Sequence, residues 1–420
     1  MSAINFRRFT GRGLPLFLFI LFQAAGIGAQ LQTIRVGIVL NKSKVTLTST
    51  GEFITAKNGG IKIGDKVYAQ SVIELYSPDG SLLSIAGRRY RGKIIVMRNG
   101  NGKITVVNEL PLEEYLNGVM KMEVHPAWDA DALKAQAVVS RTFVLFNLKP
   151  GQPYDVIATV EDQVYGGVAG EDPRTTKAVT ETKGEVLLYN GKFADVPFHA
   201  DCGGYTENTE TVWGGNPVPY LVARPCSFAR ETPYRKWEKT FSEAFIRKKL
   251  DAAGYNVGML HAIKPNHITS SGRISQVLVQ HAHGTLKLSG QNFRKAVGYN
   301  ILPSTRFKLF VKKKSETVAV VELLPEQAYS VSDGYNTLDA LLYLPQSVVA
   351  SAYGNIAGNS IVPSAAYVLR QEKAWVFKGS GWGHGVGLSQ WDAQAMAQQG
   401  YTYQQILSYF YPGTTLTQIQ

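Results

Sequence analysis

Glu123 is the residue of this chain best placed to do chemistry. It stands in the run MEVHPAW, one carboxyl group among Met122, Val124 and Trp128. Apolar neighbours withdraw water from a carboxyl group, raise its pKa and keep it protonated near neutrality, as a general acid requires. The histidine with the most distinctive setting is His384, in GWGHGVGLSQ, where closely spaced glycines make a tight loop. Backbone N–H groups at the mouth of a following helix, expected from about Leu388, could face a polar or anionic group there. Cys202 and Cys226 are the only cysteines. They read either as a disulfide or free thiols, or, with His199 at HxxC spacing, as part of a metal site. A closed tetrahedral zinc site needs four ligands, and only three are evident. His281 and His283 alternate in one expected strand and would share a face, without an acid or thiol beside them.

The elements around Glu123 are two helices within Leu110 to Leu148. Pro111 suits a first helical position, and Tyr115, Leu116, Val119 and Met120 recur at helical spacing. Pro126 stops the first helix, leaving Glu123, His125 and Trp128 at the joint. Asp129 or Asp131 can cap the second, whose apolar stripe is Leu133, Ala137, Val138 and Leu145, with Lys134 and Arg141 on the other side.

Three passages in order, LPLEEYLNGVMKMEVHPAW with ALKAQAVVSRTF, VPFHADCGGYTENTETVWGGNPVPYL, and GWGHGVGLSQ with the text around it, resemble the SpoIID/LytB family of bacterial cell-wall proteins. A weaker likeness runs through FRKAVGYNILPSTRF. The resemblance implies a peptidoglycan lytic transglycosylase that cleaves the bond between N-acetylmuramic acid and N-acetylglucosamine, leaving anhydromuramyl ends, with Glu123 as the catalytic acid. In such a mechanism Lys134 and Arg141 would hold carboxylate or acetamide oxygens, or else serve as helix salt bridges or solvated charges; Trp213 and Tyr220 offer flat faces for sugar rings or pack in the core, and His384 and Gln390 of the glycine-rich passage are further candidate substrate contacts. A glycosidase normally uses two carboxyl groups. Here Glu113, Glu114, Asp129 and Asp131 all read as helix-terminal charges, which suits a mechanism in which the substrate's own hydroxyl attacks. Part of the family enhances a separate amidase, so a non-catalytic wall-binding protein that stimulates an N-acetylmuramoyl-L-alanine amidase is the alternative. Some members bind zinc through His and Cys, which keeps His199, Cys202 and Cys226 as an alternative structural zinc site; no other cofactor is expected. Glycan strands, including strands stripped of stem peptides, and an amidase are the expected partners.

Residues 1–29 read as a secretory leader: Arg7, Arg8 and Arg12, an apolar run from Leu14 to Phe22, then small residues before Gln30. The apolar run is short for a membrane span, so export to the periplasm or envelope is expected, with membrane attachment only if the leader is kept. Removing it lowers the formal charge from +12 to +9. A basic exported chain suits an anionic polymer or lipid surface and argues against nucleic acid. The expected fold class is α+β, β-rich, with a helical pair carrying the glutamate and a C-terminal helix. The expected divisions are a β-rich region over 30–108, a core over 109–310, an insertion over 311–375 and the rest of the core over 376–420.

Overall fold

The structure, a computed structural model, describes residues 5–7, 33–57, 59–77, 80–159, 161–321 and 366–419. The fold is α+β and rich in strands, as the sequence leads one to expect. Of residues 1–29 only Asn5–Arg7 is described, as a strand paired with Glu74–Tyr76, so the expected leader lies mostly outside the described residues. No described helix is long and apolar enough to cross a membrane.

The chain forms two compact units, Met1–Arg235 with Gly381–Gln420, and Lys236–Ser380. The changeovers at Arg235 and Gly381 differ from the sequence landmarks at 108, 310 and 375. Their cause is strand pairing: Trp237–Ser242 lies antiparallel to the end of Ala366–Gly379, which pairs in turn with Phe307–Val321. The stretch 311–375 therefore begins and ends inside paired strands, and its middle, 322–365, lies outside the described residues.

In the first unit, alternating hydrophobic strands between Thr33 and Pro111 build one six-stranded sheet and, with Asn5–Arg7 and Val156–Ile157 at its edges, a second. Thr33–Lys42 pairs antiparallel with Ile104–Pro111 and parallel with the short Val156–Ile157. Their inward residues, among them Ile34, Val36, Leu47, Ile54, Val96 and Val106, form the core onto which the helices pack.

Helix α1 is Leu112–Glu123 and α2 is Ala130–Phe146. Pro111 lies one position before the helix rather than inside it, at the end of the preceding strand. Asp129 caps α2, its carboxylate accepting from the Asp131 N–H at 3.1 Å. Helix α2 is buried on two faces rather than on the one apolar stripe expected. Leu133, Ala137, Val144 and Leu145 face the sheet core, while Ala132, Ala135, Val138 and Val139 face a second core. The helix is enclosed by α1, α3 (Pro173–Glu181), α7 (Gln390–Gln398), α8 (Tyr403–Phe410) and the strand Glu185–Tyr189. A short helix, α4, spans Thr209–Trp213.

The second unit packs two three-stranded sheets with α5 (Glu243–Ala252) and α6 (Gly290–Val297) around Phe293, Trp375, Phe377 and Ile246. Ser242 and Ser289 cap these helices. The single strand expected across His281 and His283 is instead a hairpin, Ile274–His281 paired with Gly284–Ser289 and turning at Ala282 and His283. Gly284, at φ 127°, permits the turn, and the histidines end in it rather than sharing a strand face.

Candidate functional site

Glu123 is the last residue of α1. The helix stops because Val124 turns extended, at φ −135° and ψ 153°, ahead of Pro126. Val124 is buried, Met122 and His125 are exposed, and Trp128 packs edge-on against Trp391 with ring centroids 5.2 Å apart. Desolvation of the Glu123 carboxyl pushes its pKa up to about 7, partly opposed by a 2.9 Å hydrogen bond from the Val164 N–H to Oε1.

Val164 belongs to the segment Gln163–Gly170, and glycines let this segment close on α1. The Gly166 N–H donates to the Gly118 carbonyl at 2.9 Å. A Cβ on Gly118 would stand 2.4 Å from the Tyr165 ring, and one on Gly170 would stand 2.1 Å from the Gly118 oxygen. Either substitution would push the segment away from the helix. Beneath it lies a buried polar chain. The Tyr115 hydroxyl donates to Gln163 Oε1 at 3.0 Å, Gln136 Nε2 donates to Ser140 Oγ at 3.1 Å, and Gln390 Nε2 donates to Gln136 Oε1 at 3.3 Å. Burial, with the Glu123 charge nearby, raises the Tyr115 pKa well above its ordinary value, so this phenol keeps its proton.

The four acids considered as a second catalytic carboxyl have other tasks. Glu113 chelates Arg141, Asp129 caps α2, and Asp131 accepts from the Tyr403 N–H at 2.8 Å. Glu114, in the first turn of α1, adds to the field around Arg91 and Tyr165.

Several expected substrate contacts are placed elsewhere. Arg141 is fully buried: its guanidinium makes two bonds to Glu113, at 2.7 and 2.8 Å, and donates to the carbonyls of Glu185 and Val179. It has no face left for a substrate. Lys134 pairs with Glu181 of α3 at 2.8 Å, a contact between helices. Tyr220 is buried with its ring 4.7 Å from that of Tyr189, and its hydroxyl accepts from the Asp195 N–H. Gln390 turns inward to Gln136. Trp213 and His384 do come together, with ring centroids 4.9 Å apart, and Trp213 is 52% exposed.

The second and third sequence passages form one structure. Phe198–His199 pairs parallel with Leu388–Ser389, and Asp201 and Trp382 exchange both backbone hydrogen bonds. Gly383 lies so close that a Cβ would meet the His199 Cβ at 2.6 Å. The His199 and His384 rings are 5.4 Å apart. Three of the N–H groups here are already engaged: Val386 donates to His384 Nδ1, Leu388 to the Tyr411 hydroxyl, and Trp391 to the Ala200 carbonyl. Helix α7 begins at Gln390, two residues later than expected. It links the loop to the Glu123 joint, since Trp391 meets Trp128 and Gln394 accepts from the Asp129 N–H at 2.8 Å.

Cys202 and Cys226 are joined as a disulfide. His199 stands apart from them, its Nδ1 at 3.1 Å from the Val386 carbonyl oxygen. The third group at the sulfurs is one the sequence reading missed, Asp392, whose Oδ2 lies 3.2 Å from each sulfur and accepts from Ser389 Oγ at 2.6 Å. Ligand atoms of Cys202, Cys226 and Asp392 lie within 4.8 Å of one another. The bonded sulfurs have no thiolate to offer, so this set fits a metal ion only after reduction. Burial pushes the Asp392 carboxyl up to about 6.

Comparison with known proteins bears on the part of the chain that builds the Glu123 joint. Residues 100–189 match the SpoIID family, described as Stage II sporulation protein. The chain is similar to proteins of the SpoIID/LytB family. It is 30% identical over 319 residues to the "Amidase enhancer" of Bacillus subtilis, an alignment covering 72% of this chain and 40% of that protein. Thus the chain spans about two fifths of the length of that relative. It is 26% identical over 332 residues to the Bacillus subtilis "Stage II sporulation protein D", covering 74% of this chain and 76% of that one. An uncharacterized protein of Brachyspira hyodysenteriae is 26% identical over 381 residues, covering 88% and 83% of the two chains. The matched segment contains α1, α2, Glu123 and the loop carrying Val164.

Proposed function

We propose that this SpoIID/LytB-like chain is exported and acts at the bacterial cell wall as a peptidoglycan lytic transglycosylase, with Glu123 as its single catalytic carboxyl. The observation that carries the reading is a desolvated carboxyl at about 7, with one N–H on Oε1 and, among the described residues, no carboxylate hydrogen-bonded to it. Near neutrality such a group is divided between its two forms, so it can give a proton and take one back.

Glu123 donates its proton to the oxygen joining N-acetylmuramic acid to N-acetylglucosamine as the bond to the anomeric carbon breaks. The resulting carboxylate then accepts the proton of the muramic acid's own 6-hydroxyl, whose oxygen attacks the same carbon. The product is an anhydromuramyl end, and no water enters. The Val164 N–H holds one carboxyl oxygen through both steps and stabilises the charged form between them. Trp213 and His384 provide an exposed ring face suited to a sugar.

The test is product analysis on intact sacculi and on denuded glycan strands. Wild type releases anhydro-ended fragments and Glu123→Gln releases none. Equal release by both would sink the assignment. The name of the Bacillus subtilis relative supports a second reading, a wall-binding protein that stimulates an amidase. On that reading Glu123→Gln keeps full amidase stimulation, and neither form cleaves glycan.

A further inference from the structure

The chain's positive charge is unevenly placed. Residues 236–380 hold eighteen lysines and arginines against nine acids, a net +9 of the whole chain's +12. In the sheet made by Trp237–Ser242, Ala366–Gly379 and Phe307–Val321, one face carries Phe241, Phe307, Trp375 and Phe377 into the core. By alternation the other face carries Lys308, Phe310 and Lys312 on one strand, Lys378 and Val376 on the next, and Glu238 and Thr240 on the third.

Three features of this outer face point outward. Lys308 sits directly opposite Lys378, a like-charged cross-strand pair that costs the sheet stability. Among the described side chains one acid pairs with it: Glu238 meets Lys378 at 2.9 Å, both side chains being 55% exposed. Lys308 and Lys312 are exposed and carry no ion pair among the described residues. Phe310, 47% exposed, lies between them, with the Lys378 ammonium 6.0 Å from its ring centroid. An apolar ring flanked by three lysines, two of them with Cα atoms about 13 Å apart along one strand, matches a ligand that alternates a sugar face with an anionic group.

We propose that this face docks a carboxylate-bearing glycan strand of the cell wall, Phe310 lying under a sugar ring while Lys308, Lys312 and Lys378 pair with lactyl or peptide carboxylates. The choice of polymer rests on the cell-wall reading above; the cationic face and its ring do not. Binding here would hold polymer on the second unit independently of chemistry at Glu123.

The experiment is cosedimentation of the full mature chain with purified peptidoglycan sacculi, and with the same sacculi after amidation of their carboxyl groups. The triple variant Lys308→Gln, Lys312→Gln, Lys378→Gln should bind untreated sacculi roughly tenfold more weakly, and Phe310→Ala should also weaken binding. Amidated sacculi should hold wild type no better than untreated sacculi hold the triple variant. Lys264 and Lys287 lie on the outer side of the other sheet, across from Leu278, and replacing both with Gln should change little. Should the triple variant misfold by circular dichroism, Lys312→Gln alone, expected two- to threefold weaker, serves instead. The proposal is overturned if variants at 308, 312 and 378 bind as wild type does, if the Lys264 and Lys287 variant loses as much, or if amidated sacculi bind equally well. Cleavage of short soluble glycans is read in parallel. Lost binding with intact Glu123-dependent cleavage supports the surface; unchanged binding in the triple variant with no cleavage by wild type fails both readings, and lost binding with no cleavage fails only the enzymatic one.

Discussion

Replacing Glu123 by Gln should abolish glycan cleavage and, above neutral pH, make the protein more stable. The carboxyl titrates near 4.5 when unhindered and at about 7 in the folded chain. Between those values the native state holds a proton that the unfolded chain has released, so wild-type stability falls as pH rises through this window. Below 4.5 both states are protonated and the term vanishes. Above 7 both are ionised, and the full cost of a desolvated carboxylate remains, at most about 3 kcal/mol at 1.36 kcal/mol per pKa unit. Gln keeps an oxygen for the Val164 N–H and has no charge to desolvate. The stability difference between variant and wild type should therefore grow from near zero at pH 4.5 to a plateau of up to about 3 kcal/mol by pH 8. Urea unfolding at several pH values, followed by fluorescence of Trp128 and Trp391, measures it. Wild-type cleavage should fall about tenfold per pH unit above 7, as the acid form is lost. A stability difference that stays flat from pH 4.5 to 8 would refute the claim that burial perturbs this carboxyl.

Three further outcomes follow from the same geometry. Arg141→Ala should destabilise the first unit by roughly 3–5 kcal/mol, because it strands Glu113 and two carbonyls, whereas a substrate-binding arginine would instead raise KM with little change in the unfolding midpoint. Gly118→Ala should lower both stability and cleavage, since the added methyl meets Tyr165 and displaces the segment that supplies the Val164 N–H; unchanged kinetics would break that link. Breaking the disulfide with Cys202→Ser should cost about 3 kcal/mol by loop closure, and a thiol assay on the untreated protein should find no free cysteine; two thiols together with one equivalent of zinc would reverse the assignment.

How much of this was legible in the sequence depended on whether the signal was local. Helices α1 and α2 were readable because their periodicity, the stop at Pro126 and the cap at Asp129 all lie within a few residues of the elements they define. Arg141 was misread because a cation opposite an apolar stripe is ordinarily solvated. Here its partner Glu113 sits 28 residues earlier, and a second core covers that face of α2. Asp392 escaped notice because 190 residues separate it from Cys202. The Val164 N–H was not readable at all, since every non-proline residue carries the same backbone donor. Its only trace is the spacing of Gly166, Gly167 and Gly170, which the sequence shows as a turn-rich stretch and the structure shows as a close approach to Gly118.

That close approach explains why the acid sits where it does. A carboxyl at a helix C-terminus faces the negative end of the helix dipole, which favours the protonated form. Withdrawing water pushes in the same direction, and both would carry the carboxyl above the value of about 7 it has with the Val164 N–H in place. The Val164 N–H acts against both, and it acts only while Gly166 and Gly170 hold their segment against α1. The pKa near 7 is thus a balance set by backbone spacing. Glycines remote in sequence from Glu123 should therefore shift the pH profile of cleavage, whereas a change at the solvent-exposed His125 should leave it in place.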